Sequence, residues 1–320
     1  MKNIPIFFTF DNNYVVPAAV AFDSLLEKTV EGVFYDMYVL HHDITEANQK
    51  LLNNIVARWG NARLTFKDTG EFLRDDWDST FNSGTSKNEV NQFTVDTVIR
   101  CFAARFFPQF DKIIYSDVDV VFMDDISELW DIDLSNSYIG AVRNAFMKWS
   151  ENELSHLSPE NHAKFKDTYF GGGIWVFNLA KIREDNLEER MLDIVKDPAI
   201  IKRWNDQDVM NLACDNKVTY ISLRYISYPY LEHLMSIEGF ESHYTHEELV
   251  DSIRRPKILH FAAQKPWNAY PRYWDLWMER FERLGIRRTK IFKKMPLKHR
   301  LYLKVYKYLD ASLRRKGIVY

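Results

Sequence analysis

The sequence predicts one α/β domain built on a mostly parallel central sheet, followed by a basic helical tail. Short apolar runs alternate with stretches of helical period through the first half, the pattern left by parallel strands joined through covering helices. With 320 residues, 46% of them hydrophobic, the chain can bury one substantial core and a smaller appendage but not several independent domains. The charge also divides: residues 287–320 hold 12 Lys or Arg against the single Asp310, while the preceding body holds 30 basic and 44 acidic residues. The expected division is therefore a domain over 1–285 and a basic, aromatic tail over 286–320.

Strands are expected at 4–10, 34–40, 64–67 and 113–116, with helices at 15–26, 45–59 and 90–107 between them. Thr45 is placed to cap the second helix, its hydroxyl accepting a free amide just before the periodic Leu51, Leu52, Ile55, Val56 and Trp59. Beyond Asp119 the pattern loosens into a turn-rich stretch over 144–167 and a strand at 174–177. Helices at 179–195 and 208–214, a strand at 257–261 and an aromatic helix at 270–284 complete the body. Neither repeats nor a low-complexity linker interrupt it.

The acidic body argues against nucleic-acid binding, because phosphate contacts need a basic surface. Cys101 and Cys214 are too few for a disulfide framework or a structural zinc site and fit a reducing compartment. The first ten residues carry no cleavage pattern and no 18 apolar residues run together, so a cytoplasmic chain without a spanning helix is expected.

Chemistry concentrates in Lys112-Ile-Ile-Tyr-Ser-Asp117-Val-Asp119-Val-Val. Alternate residues of an extended chain share a face, so Asp117 and Asp119 point the same way at the C-terminal end of a buried strand, where open α/β sheets bind ligands. Two carboxylates so close repel unless a cation compensates them, which makes a divalent ion the natural occupant. Two unrelated acids in a solvated turn would read the same in isolation. Farther on, Ile258-Leu-His260-Phe-Ala-Ala-Gln-Lys265-Pro-Trp267 ends an apolar run on a His. Joined to the two Asp residues it makes a mixed oxygen and imidazole set that suits Mn²⁺, with Mg²⁺ as the alternative. Lys265 can meet a phosphate as a point charge, or be an ordinary surface lysine before a turn.

In these segments the chain resembles glycosyltransferase family 8, the retaining galactosyl- and glucosyltransferases that include lipopolysaccharide enzymes and glycogenin. The resemblance runs from about residue 4 to 284 and implies a GT-A type nucleotide-sugar-binding domain. Phe8-Thr9-Phe-Asp11-Asn-Asn13-Tyr14 is similar to the family's first-strand motif, which implies nucleotide contacts from Thr9, Asp11 and Asn13; an Asx-type turn is the plainer alternative. Arg100 stands where the family has an Arg on donor sugar and phosphate. Asp117, Asp119 and His260 match its metal ligands, and Val118 would offer backbone to the ribose. Ser127-Glu-Leu-Trp130 resembles a short structural helix of the family.

The run Phe170-Gly171-Gly172-Gly173 matches the family's Phe-Asn-x-Gly, so Gly171 and Gly172 are expected against the sugar, or else a tight hairpin. Asn205-Asp206-Gln207-Asp208 matches its Asp-Gln-Asp motif, implying that Asp206 binds hexose hydroxyls and Gln207 lies near the anomeric carbon; four polar residues starting a helix is the alternative. Three departures stand out. Gly171 replaces a family Asn, Asn144 replaces an Asp, and the interval from His260 to Lys265 is one residue short and lacks a Gly.

The resemblance implies transfer of a galactose or glucose from a UDP-sugar, with Asp206, Gln207 and Lys265 at the reaction centre and a saccharide or glycolipid acceptor. Front-face attack is expected, because Gln207 would be a poor nucleophile. The rivals are a non-enzymatic sugar-nucleotide binder and a haloacid-dehalogenase-type phosphatase, whose motif Asp117-Val-Asp119-Val also resembles. The cationic, Tyr-rich tail is expected to rest on an anionic membrane surface, placing the protein on the inner face of the cytoplasmic membrane.

Overall fold

The computed structural model describes residues 1–70, 95–146, 153–197, 199–200, 202–269 and 271–287. Strand β1 (Lys2–Thr9) lies inside the sheet because it is apolar on both faces: Ile4, Ile6 and Phe8 enter one core, Phe7 the other. Helix α1 (Val15–Lys28), buried from Val15 to Leu26, covers the first face. β2 (Val33–His41), α2 (Glu46–Ala57) and β3 (Ala62–Asp68) extend the sheet in parallel, with Ile6 opposite Met37 and Met37 opposite Leu64. Thr45 caps α2 as expected, accepting from Asn48 N at 3.4 Å.

The chain then crosses to the other face through α3 (Val95–Ile99), a 3-10 turn at Arg100–Phe102 and α4 (Ala103–Phe106), and returns as β4 (Lys112–Ser116) beside β1. β6 (Ile139–Arg143), β7 (Phe170–Asn178) and β8 (Val218–Ile221) complete a seven-stranded sheet of order β3-β2-β1-β4-β7-β6-β8, with β5 (Val120–Phe122) outside it. Only β7 runs against its neighbours, so the sheet is mostly parallel.

Several expectations change in detail. The helix expected at 179–195 is two, α6 (Leu179–Glu184) and α7 (Leu187–Lys196), parted where Asn186 takes a left-handed φ of 51°. The turn-rich stretch contains α5 (Pro159–Phe165), capped by Ser158. The glycine run is no hairpin but the first half of β7, fully buried. α8 (Asp206–Cys214) starts two residues early. The expected strand at 257–261 is β9 (Ile258–His260), which pairs antiparallel with β5. The aromatic helix is α11 (Trp274–Arg283), after α9 (Leu231–Met235) and α10 (His246–Arg254). Cys101 and Cys214 are buried free thiols. Almost all of the tail lies outside the described residues, as do 90–94 of the third expected helix.

Candidate active site

Asp117 and Asp119 lie in the link between β4 and β5, just past the strand end rather than on it. Backbone bonds fix both. Asp117 N donates to Gly173 O of β7 at 3.0 Å, and Phe261 N donates to Asp119 O at 2.9 Å. The β5 and β9 pairing sets Val120 opposite His260, and His260 N donates to Ser227 O at 2.9 Å. The His260 ring therefore arrives with Nε2 3.4 Å from Asp117 Oδ2 and 3.2 Å from Asp119 Oδ1.

Gly173 is what lets the ring sit there. A Cβ on it would lie 2.7 Å from His260 Nδ1 and 2.8 Å from Cε1. One ligand atom from each of Asp117, Asp119 and His260 lies within 4.8 Å of the others, and two carboxylates with one imidazole fit a divalent cation. Lys265 Nζ ion-pairs with Asp119 and also donates to Ala262 O at 3.0 Å. Burial opposes ionisation of Asp119, but His260 and Lys265 outweigh it and hold the carboxyl below the usual range.

Arg100 links this cluster to the start of α8. Its Nη1 donates to Asp117 Oδ1 at 2.6 Å, its Nε to Thr97 O at 2.9 Å, and Nε lies 3.5 Å from Asp206 Oδ2. The guanidinium lies over the Tyr115 ring, 4.9 Å from its centroid, while the Tyr115 hydroxyl donates to Asp117. Asp206 is 4% exposed, and burial pushes its carboxyl up to about 7, against the pull of Arg100 and with the push of Asp117. Gly172 lies against this pair: its missing Cβ would stand 3.1 Å from Asp206 Oδ2 and 3.1 Å from Gln207 Cγ.

The N-terminal motif sits at the edge of the same cleft. Asp11 makes the Asx turn, accepting from Asn13 N at 2.9 Å, from Tyr14 N at 3.2 Å and from Asn13 Nδ2 at 2.9 Å. Tyr14 packs edge-on against Trp267, 5.8 Å between centroids, joining this loop to the Lys265 segment. Thr9 is buried at the end of β1, and Val118 turns its side chain into the core. Asn144 holds a turn, its Oδ1 accepting from Phe146 N at 2.9 Å.

Sequence reasoning missed Tyr115 as a partner of Asp117, and it missed Tyr228, whose hydroxyl lies 3.6 Å from where a Cβ on Gly171 would be. Tyr115, on β4, was legible as the residue two before Asp117. The segment around Tyr228 gave no signal.

A mostly parallel sheet with an acidic pair just past the end of central strand β4, met by a His from the separate β5 and β9 ribbon, defines a GT-A type glycosyltransferase fold. Residues 5–270 match the sequence model of glycosyl transferase family 8, and the chain belongs to that family. A putative glycosyltransferase of Haemophilus influenzae is 25% identical over 225 residues, 70% of this chain and 63% of the relative. A lipopolysaccharide 1,2-glucosyltransferase of Escherichia coli is 22% identical over 267 residues, 82% of this chain and 73% of the relative. Among solved structures, the galactosyltransferase LgtC with donor and acceptor sugar analogues superposes with a TM-score of 0.68 at 21% identity, covering 89% of this chain and 97% of that one.

Proposed function

We propose that the chain is a retaining hexosyltransferase that moves galactose or glucose from a UDP-sugar to a saccharide acceptor of a surface glycan such as lipopolysaccharide. Family membership supports the reaction class, and the names of the glucosyl- and galactosyltransferase relatives support the sugars. The carrying observation is the convergence of Asp117, Asp119 and His260, remote in sequence, onto one cation-sized gap. A phosphatase is disfavoured by the family match, and a mere binder by the retention of both this set and Arg100.

Asp117, Asp119 and His260 would hold the ion, Mn²⁺ by the imidazole ligand and Mg²⁺ less well. Bound there, a divalent ion supplies charge stabilisation to the departing diphosphate. Lys265, which ion-pairs with Asp119, would pair with a diphosphate oxygen. Thr9, Asp11, Asn13 and the backbone of Val118 would hold the nucleoside, while Arg100, Gly171, Gly172 and Asp206 would surround the sugar. Gln207, a neutral amide at the head of α8, is suited to orient reactants on one face of the sugar and not to attack it, in keeping with front-face transfer.

Among the described residues no helix is long and apolar enough to cross a membrane. The basic tail would instead seat the protein peripherally on the inner face of the cytoplasmic membrane, beside a glycolipid acceptor. A screen of UDP-sugars for Mn²⁺-dependent hydrolysis tests the central reading. Turnover with one UDP-hexose, lost in Asp119→Ala, is expected; UDP affinity without turnover on any sugar would leave a binder.

A further inference from the structure

We infer that Tyr228 is a specificity-determining residue of the donor site, its phenol hydroxyl binding a hydroxyl of the transferred sugar above Gly171. The inference rests on the nucleotide-sugar reading just given and extends it to a residue outside every recognised motif.

Tyr228 is 8% exposed and fixed from several sides. Its ring centroid lies 5.0 Å from that of Phe146, 5.5 Å from Tyr230 and 5.8 Å from His260. The preceding residue, Ser227, is bridged to Leu259 of β9 and accepts from His260 N, so the phenol is positioned by the strand that delivers the imidazole. Despite this anchoring, its hydroxyl makes no hydrogen bond to any described residue. It points at Gly171 of β7: among the described residues, and leaving out the chain neighbours, a Cβ there would meet within 4 Å only Tyr228 Oη, at 3.6 Å.

The next residue, Gly172, touches Asp206 and Gln207. Successive positions on a strand face opposite ways, so Tyr228 flanks the start of β7 from the side of His260, while Asp206 and Gln207 flank it from the other. A tyrosine phenol keeps its proton at neutral pH and so offers one donor and one acceptor. That is the complement of a neutral sugar hydroxyl. A phosphate would instead call for the cations Arg100 and Lys265.

The test compares wild type and Tyr228→Phe on the UDP-hexose found by the hydrolysis screen and on its monodeoxy analogues, with Mn²⁺ present. UDP affinity is measured alongside. Tyr228→Phe is expected to lower kcat/KM on the parent donor roughly tenfold, the loss of one hydrogen bond made in the transition state. On one analogue, lacking the contacted hydroxyl, the two proteins should be equal. Equal kcat/KM on the parent, or the same loss on every analogue, overturns the inference, since packing alone would act on all sugars alike. Wild-type protein that binds no UDP overturns the nucleotide-sugar reading and this inference with it; UDP binding with either overturning pattern sinks this inference alone.

Discussion

Replacing the three glycines of β7 by Ala, one at a time, turns the backbone geometry into a graded experiment. All three are extended, so an added methyl meets only space or neighbours. At Gly171 the nearest described side-chain atom would be Tyr228 Oη at 3.6 Å, an ordinary contact, and Gly171→Ala should leave stability within ~1 kcal/mol of wild type. At Gly172 the methyl meets Asp206 and Gln207 at 3.1 Å, and both must give slightly.

At Gly173 it would lie 2.2 Å from Ile226 Cδ1 and 2.7 Å from His260 Nδ1. The Ile methyl can rotate away, but the imidazole is held by β9 on one side and faces two carboxylates on the other. Gly173→Ala should therefore cost about 1–3 kcal/mol of overpacking. By tilting the ring off Asp117 and Asp119 it should also weaken Mn²⁺ binding roughly 10–100-fold, the scale of a disturbed metal-ligand support. Urea denaturation and calorimetric Mn²⁺ titration in the presence of UDP read the two effects. Three variants of equal stability, or a Gly173→Ala protein with wild-type Mn²⁺ affinity, would refute the reasoning.

Three further outcomes follow from the same geometry. Arg100→Met strands two carboxylates, Asp117 and buried Asp206, and should cost about 3–5 kcal/mol in denaturant melts, whereas a loss under 1 kcal/mol would mean the pairing does little. Because burial raises the Asp206 carboxyl to about 7, its stability contribution is full below the unfolded value near 3.8 and is lost as pH rises through 7. Wild type should therefore fall in stability relative to Asp206→Asn between about pH 4 and 7 in EDTA; parallel pH profiles would contradict this. Deleting residues 288–320 should release the protein from vesicles containing anionic lipid while leaving UDP-sugar hydrolysis in place, and unchanged sedimentation with the vesicles would remove the proposed membrane role of the tail.

Much of this arrangement was legible because it depends on local pattern. β1, β2 and β4 carry dense apolar runs, Thr45 announces its helix, and the acidic pair follows a buried strand. What escaped depends on distant pairing or on single backbone angles. β5 and β9 are three residues each, too short for a period, and gain their identity only from facing one another. β6 and the edge strand β8 are short and carry little alternation, and the break at Asn186 rests on one left-handed residue. The glycine run read equally as backbone against a sugar or as a tight hairpin; only the His260 ring, 87 positions beyond Gly173 in the sequence, shows why a side chain is absent at that glycine. Tyr228 shares that fate: nothing in Ser227-Tyr228-Pro229-Tyr230 distinguishes a site residue from a packed aromatic.

The central claim is that one imidazole and two carboxylates, brought together by the β5 and β9 pairing, hold a single cation. Electron paramagnetic resonance titration of metal-stripped protein with Mn²⁺, comparing wild type with His260→Ala, addresses it directly. The account predicts one tight Mn²⁺ per chain in wild type, weakened at least about tenfold by the substitution. Identical binding curves for the two proteins would contradict it.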